Sequence, residues 1–250
     1  MFYVEKVLYF SRNKSANVTT HKTLQQDYLE AAQFFHWATE LHFLMFFTGG
    51  TGKPLRNRRM LSRLSKKYAK KNKERSLYSA EYEKQTVYIV PRKKGKGDFL
   101  SKVNHGLGCT ECMVRLWRSN MSGQIIEEKE FVGYGCIPDF GIQYPNGEML
   151  LVEYATKDNY TGRKVIKNKL TAYRNYLWLI EQKFKATSVL LYVIDISKET
   201  LEKFVNKLIP LDIPVYFVDY QTFKNVEIGK QLSAPIYIQG ETGEITSLNE

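Results

Sequence analysis

Apolar residues recur at helical spacing over residues 23–47, in Leu24, Tyr28, Ala31, Phe34, Phe35 and Ala38, then Leu41, Leu44 and Met45. This predicts two helices broken near residues 37–40. A turn, Gly49-Gly50-Thr51-Gly52-Lys53-Pro54, leads into a third predicted helix over residues 55–71, with Pro54 suited to its first position. Leu55, Met60, Leu61 and Leu64 line one side of that helix. Residues 77–80 and 86–90 then predict two strands joined by a polar turn.

Past residue 98 the pattern becomes mixed α/β. A helix is expected over residues 99–118 and a strand over 124–132. A buried hairpin follows around Pro145-Asn146-Gly147, within residues 136–157. Ile166, Leu170, Tyr173, Leu177 and Ile180 form the apolar stripe of a long helix over residues 163–183. The continuous apolar run 189–194 reads as a fully buried strand, 198–208 as a helix and 215–218 as a further strand. Residues 1–22 are weakly patterned and read as an arm, and the chain after residue 230 is left unassigned.

Charge divides the chain at the same place. Residues 1–100 hold 20 Lys and Arg against 8 Asp and Glu, whereas residues 101–250 hold 17 against 18, so the whole net charge of +11 belongs to the first part. A basic module joined to a nearly neutral one points to a polyanionic partner, nucleic acid first. Arg56, Arg58, Arg59, Arg63, Lys66, Lys67 and Lys70 make the predicted third helix cationic. The order helix, helix, basic helix, hairpin is that of a winged helix-turn-helix, which lays its last helix in the major groove of DNA. These seven side chains are the candidate DNA contacts, and a solvated basic helix without a ligand is the alternative. The basic stretch 92–98 reads as the linker between a DNA-binding domain, 23–91, and a second domain, 99–250.

Several other chemistries are tested by the residues themselves. The Gly-Gly-Thr-Gly-Lys turn lacks a phosphate loop's first glycine, where Phe47 stands, and its Ser or Thr after the lysine, where Pro54 stands. His105, Cys109, Cys112 and Cys136 are zinc-ligating types within 32 residues, but no second Cys-x-x-C or paired histidine completes a recognised spacing. They therefore read as small core residues. Three cysteines make no disulfide framework, no apolar run nears the ~20 residues of a membrane helix, and residues 1–15 carry no secretory pattern. A soluble cytoplasmic protein without membrane association is expected.

The sharpest chemical signal is Asp139 and Glu153, two carboxylates on adjacent strands of one hairpin with apolar flanks. Carboxylates in that setting need a partner, and Mg²⁺ or Mn²⁺ is the natural neutraliser. A salt-bridged strand pair using Lys157 or Arg163 is the plainer alternative. Pro138-Asp139, with Glu153 fourteen positions later and Glu111 as the only acid on the preceding helix, resembles the restriction-endonuclease-like PD-(D/E)xK superfamily. Together with the preceding winged helix, His105, Val152-Glu153 and Lys169-Leu170-x-x-Tyr173, the chain is similar to the replication-relaxation proteins of plasmids and other mobile elements. That resemblance implies a central mixed sheet and a metal held by Asp139, Glu153 and Glu111. It also implies cutting or nicking of duplex or branched DNA, beside replication or transfer proteins and as a homodimer. The lysine expected two positions after Glu153 is Ala155, so Lys169, or else Lys157, is expected to supply the missing cation. A non-catalytic DNA-binding factor with an inactivated nuclease fold is the rival reading, and a ligand-sensing repressor a weaker third.

Overall fold

A computed structural model describes residues 24–48, 59, 61–67, 78–90, 102–119, 123–157, 163–208, 213–225, 237–239 and 245–247. The arm 1–22, the Gly49 to Pro54 turn, the linker 92–98, Arg56, Arg58 and Lys70 lie outside the described residues.

The N-terminal unit opens with α1 (Leu24–Phe35), β1 (Trp37–Thr39) and α2 (Glu40–Thr48). His36 ends α1 in a left-handed conformation, φ 59°, which turns the chain into β1. The break between the two predicted helices is thus a strand. Residues 61–64 are helical, with Leu61 fully buried and Arg63 exposed. The chain then enters β2 (Lys66–Lys67), which pairs in parallel with β3 (Tyr78–Tyr82). The third helix therefore ends before Lys66 and Lys67, not near residue 71. Ladder pairing with β3 overrides the helical preference of the two lysines, a case of tertiary context prevailing over local propensity. β3 and β4 (Gln85–Ile89) form the expected hairpin, turning on Glu83 and Lys84 at φ 45° and 65° as a primed two-residue turn requires. The sheet order is β1-β4-β3-β2.

The second unit runs α3 (Val103–Ser119), β5 (Gln124–Glu127), β6 (Phe140–Gln143), β7 (Glu148–Ala155), α4 (Arg163–Phe184), β8 (Thr187–Ile194), α5 (Lys198–Val205), β9 (Val215–Asp219), α6 (Tyr220–Asn225), β10 (Tyr237–Gln239) and β11 (Ile245–Ser247). The predicted strand 124–132 stops at Glu127, where a 3-10 turn, Glu128–Phe131, buries the Phe131 ring. The strands form one mixed sheet in the order β11-β10-β9-β8-β7-β6-β5. β7, β8 and β9 are parallel, and the other pairs are antiparallel. The protein is mixed α/β, and no helix among the described residues is long and apolar enough to cross a membrane.

Strand alternation sends one set of side chains to each face of this sheet. Met149, Leu151, Leu190, Tyr192, Ile194 and Phe217 meet the α4 stripe, whose Ile166, Leu170, Tyr173, Leu177 and Ile180 are all buried. Phe140, Val152, Tyr154, Leu191 and Val193 lie on the other face and share one core with α3, Phe35, Phe43 and Tyr88. The chain on both sides of the 92–98 stretch therefore packs into a continuous apolar cluster, with α3 between the two sheets. Two glycines permit this. A Cβ on Gly106 would meet the Trp37 indole at 2.2 Å, and one on Gly108 would meet the Tyr154 ring at 2.1 Å. Two residues apart is about 200° around a helix, so each glycine serves the opposite sheet.

Polar contacts close the same seam. The Thr110 hydroxyl lies 2.6 Å from the Trp37 carbonyl. Arg118 donates to the carbonyls of Met45 and Phe46 in the last turn of α2. A cation there suits the negative end of the helix dipole.

Candidate functional site

Asp139 stands immediately before β6, where its backbone N–H donates to the Val152 carbonyl at 3.0 Å, and Glu153 is the sixth residue of β7. The hairpin register that pairs Phe140 with Val152 brings the two carboxylates to neighbouring strands. This lies toward the C-terminal end of the parallel strand β7, next to the crossover into α4, a usual position for ligand sites in α/β sheets.

Each carboxylate oxygen has a donor or cation beside it. Asp139 Oδ2 accepts from the Tyr154 N–H at 2.8 Å, and Oδ1 lies 3.2 Å from His105 Nε2. Glu153 Oε1 accepts from the Tyr173 hydroxyl at 2.8 Å, and Oε2 accepts from the Lys169 ammonium. Lys169 and Tyr173 are four residues apart, one turn along the face of α4 that covers the sheet. Of the two lysines considered for the place of Ala155, Lys169 is the one that meets Glu153. Lys157 is exposed just beyond β7.

The electrostatics separate the two acids. Burial opposes the charge on Asp139, but the His105 hydrogen bond and charge, Lys169 and the Tyr154 N–H outweigh it and hold the carboxyl below its ordinary value. Glu153 is only 1% exposed; burial and the charge of Asp139 push it up to about 7, against the pull of Lys169 and Tyr173. Burial disfavours the charge on His105, yet the hydrogen bond and charge of Asp139 raise it overall. Lys169 is also raised, with Glu153 and Asp139 outweighing burial. The site is a compact set of two acids and two bases in which one acid feels the other's charge.

Glu111 belongs to a different constellation. It lies two residues after Cys109, about 200° around α3 from the His105 and Cys109 face. Its Oε2 meets His42 Nε2 at 2.8 Å and its Oε1 accepts from Arg115 Nε at 2.6 Å. The Thr39 N–H donates to His42 Nδ1 at 3.1 Å, so that nitrogen holds a lone pair and Nε2 carries the proton toward Glu111. Although burial opposes its charge, His42 and Arg115 draw Glu111 down to about 2. Glu111 thus clasps α3 to α2, and its contacts are with His42 and Arg115 rather than with Asp139 or Glu153.

The cysteines also divide. Cys112 and Cys136 are buried in the clusters on opposite faces of the sheet, as small core residues. Cys109 Sγ instead lies 3.4 Å from His105 Nε2, and His105, Cys109 and Asp139 form the one group of metal-ligating type found among the described residues. His105 and Cys109 stand at i and i+4 on α3, a spacing visible in the sequence; their approach to Asp139 is set by tertiary packing. His105 Nδ1 is buried without a hydrogen-bond partner among the described residues.

Arg59 and Arg63 are exposed one turn apart in the N-terminal unit. Lys66 and Lys67 lie in β2 beside the hairpin. No family model, curated protein or solved structure matches the chain, so its geometry and chemistry alone carry the functional reading.

Proposed function

We propose that the protein binds DNA through a winged helix-turn-helix at its N-terminus. A PD-(D/E)xK-like second unit would cut or nick the DNA with Mg²⁺ or Mn²⁺ during replication, transfer or resolution of a mobile element. The observation that carries this reading is the meeting of Lys169 with Glu153, beside Asp139 on the neighbouring strand. A lysine from α4 thus stands where the nuclease pattern needs a cation and Ala155 supplies none.

The order α1, β1, α2, helical turn, β3, β4, with β1 against β4, supports the winged-helix reading. Exposed Arg59 and Arg63 would contact duplex phosphates, with Lys66 and Lys67 in the adjoining strand.

The acidic pair suits a hard dication. Asp139 is held ionised, while its charge makes Glu153 resist ionisation, so a cation between them would relieve both burial and repulsion. Both offer oxygen, the ligand type Mg²⁺ and Mn²⁺ prefer. When bound, the ion would polarise the scissile phosphate and acidify a water. His105 and the Tyr154 N–H fix the orientation of Asp139, Tyr173 fixes that of Glu153, and Lys169 offers positive charge to the phosphate as charge develops there.

A second reading has its own observation. All four oxygens of Asp139 and Glu153 already face protein donors or cations, so the network is self-neutralised. In that case the fold serves a non-catalytic DNA-binding factor as a dimerisation or partner-docking platform. Supercoiled, branched and single-stranded DNA incubated with Mg²⁺ or Mn²⁺, beside an Asp139→Ala variant, separates the two. Metal-dependent cleavage that disappears in the variant supports the nuclease; no cleavage of any substrate leaves the platform.

A further inference from the structure

We propose that His105, Cys109 and Asp139 form a three-ligand site for a thiophilic dication such as Zn²⁺, sharing Asp139 with the oxygen pair but taking nitrogen and sulfur in place of Glu153. The distances carry this. Metal bonds of about 2.0 Å to nitrogen and oxygen and about 2.3 Å to sulfur, at tetrahedral angles, place N and O about 3.3 Å apart and N and S about 3.5 Å apart. His105 Nε2 lies 3.2 Å from Asp139 Oδ1 and 3.4 Å from Cys109 Sγ, with all three atoms within 4.8 Å of one another. Both separations from the imidazole nitrogen thus match a tetrahedral site, with the sulfur and the carboxylate within 4.8 Å of each other.

The fold holds them there before any ion arrives. His105 and Cys109 come from successive turns of α3, which Gly108 lets close onto Tyr154. Asp139 is fixed by the Tyr154 N–H of that same residue's backbone. One imidazole nitrogen, one sulfur and one carboxylate suit Zn²⁺ or Co²⁺, whereas Mg²⁺ selects oxygen. Binding releases the Cys109 thiol proton to solvent and leaves a thiolate bond to the ion. Three protein ligands leave the fourth position for water, the pattern of catalytic rather than structural zinc sites.

The test needs neither DNA nor cleavage. Co²⁺ titrated into the full-length, chelator-treated protein should bind at one equivalent with a thiolate-to-cobalt charge-transfer band. Zn²⁺ should displace it and excess Mg²⁺ should not. Cys109→Ser should abolish the band, Asp139→Asn should weaken binding by at least the roughly ten- to hundredfold that loss of a ligand's hydrogen-bond partner costs, and Cys112→Ser and Glu153→Gln should retain the band. Circular dichroism confirms that each variant is folded, and the wild-type titration stands if one is not. Absence of the band from the wild type, or its survival in Cys109→Ser, would overturn the proposal. Loss in Glu153→Gln with retention in Cys109→Ser would assign the ion to the carboxylate pair instead. DNA cleavage is read separately, so either reading can fail alone.

Discussion

Replacing Glu111 with Gln should destabilise the protein and leave metal binding untouched. The Glu111 side chain is 7% exposed, touches both His42 and Arg115, and titrates at about 2 instead of its ordinary 4.5. That difference corresponds to about 3 kcal/mol of stability in the ionised state, because one pH unit is ~1.4 kcal/mol. Glutamine keeps one acceptor and one hydrogen bond, so a loss of about 2–3 kcal/mol is expected in urea unfolding at pH 7. The sign with pH is fixed. A depressed acid stabilises the fold above its unfolded value, so the wild type should lose this contribution as pH falls from 4.5 towards 2, and the variant's stability should be flatter there. A cost below about 0.5 kcal/mol, the level of an ordinary surface change, would refute the clasp. Loss of ion binding at unchanged stability would return Glu111 to the ligand set.

Three further outcomes follow from the site and its setting. Lys169→Ala should abolish cleavage and cost about 1–3 kcal/mol in urea unfolding, after allowance for the ammonium's partial exposure; adding Glu153→Gln should recover stability without activity. Because Glu153 titrates at about 7, Mg²⁺ affinity measured by calorimetry should rise about tenfold per pH unit below that value and level off above it; a flat profile from pH 5 to 8 would exclude Glu153 as a ligand. Replacing Arg59 and Arg63 together with Gln should weaken duplex binding and flatten the dependence of log affinity on log salt by about 0.9 for each phosphate no longer neutralised, with unchanged affinity counting against a basic recognition helix.

What the sequence disclosed followed periodicity. The α4 stripe from Ile166 to Ile180 predicts both the helix and its buried face, because regular spacing sustained over successive turns outweighs local noise. The hairpin carrying Asp139 and Glu153 was equally legible, with an Asn-Gly turn between apolar strands, and so was Lys169, one turn from a stripe residue. β1 was not, since three residues have no period. Nor was the strand at Lys66 and Lys67, which depends on β3 more than ten residues away. The fate of Glu111 turned on His42, a residue 69 positions earlier, and the role of Cys109 on an aspartate 30 positions later. Side-chain type sufficed to nominate these residues, but only the packing of α3 between the two sheets decided which partner each one met.

The most direct measurement is the rate at which supercoiled plasmid is nicked in Mg²⁺ or Mn²⁺ by wild type, Asp139→Asn and Glu153→Gln, with DNA affinity measured alongside. A nuclease centred on these carboxylates predicts cleavage by the wild type, a fall of at least about a hundredfold in either variant, and DNA affinity unchanged within a factor of about two. A wild type that binds DNA without nicking it, or variants that nick at the wild-type rate, would contradict it.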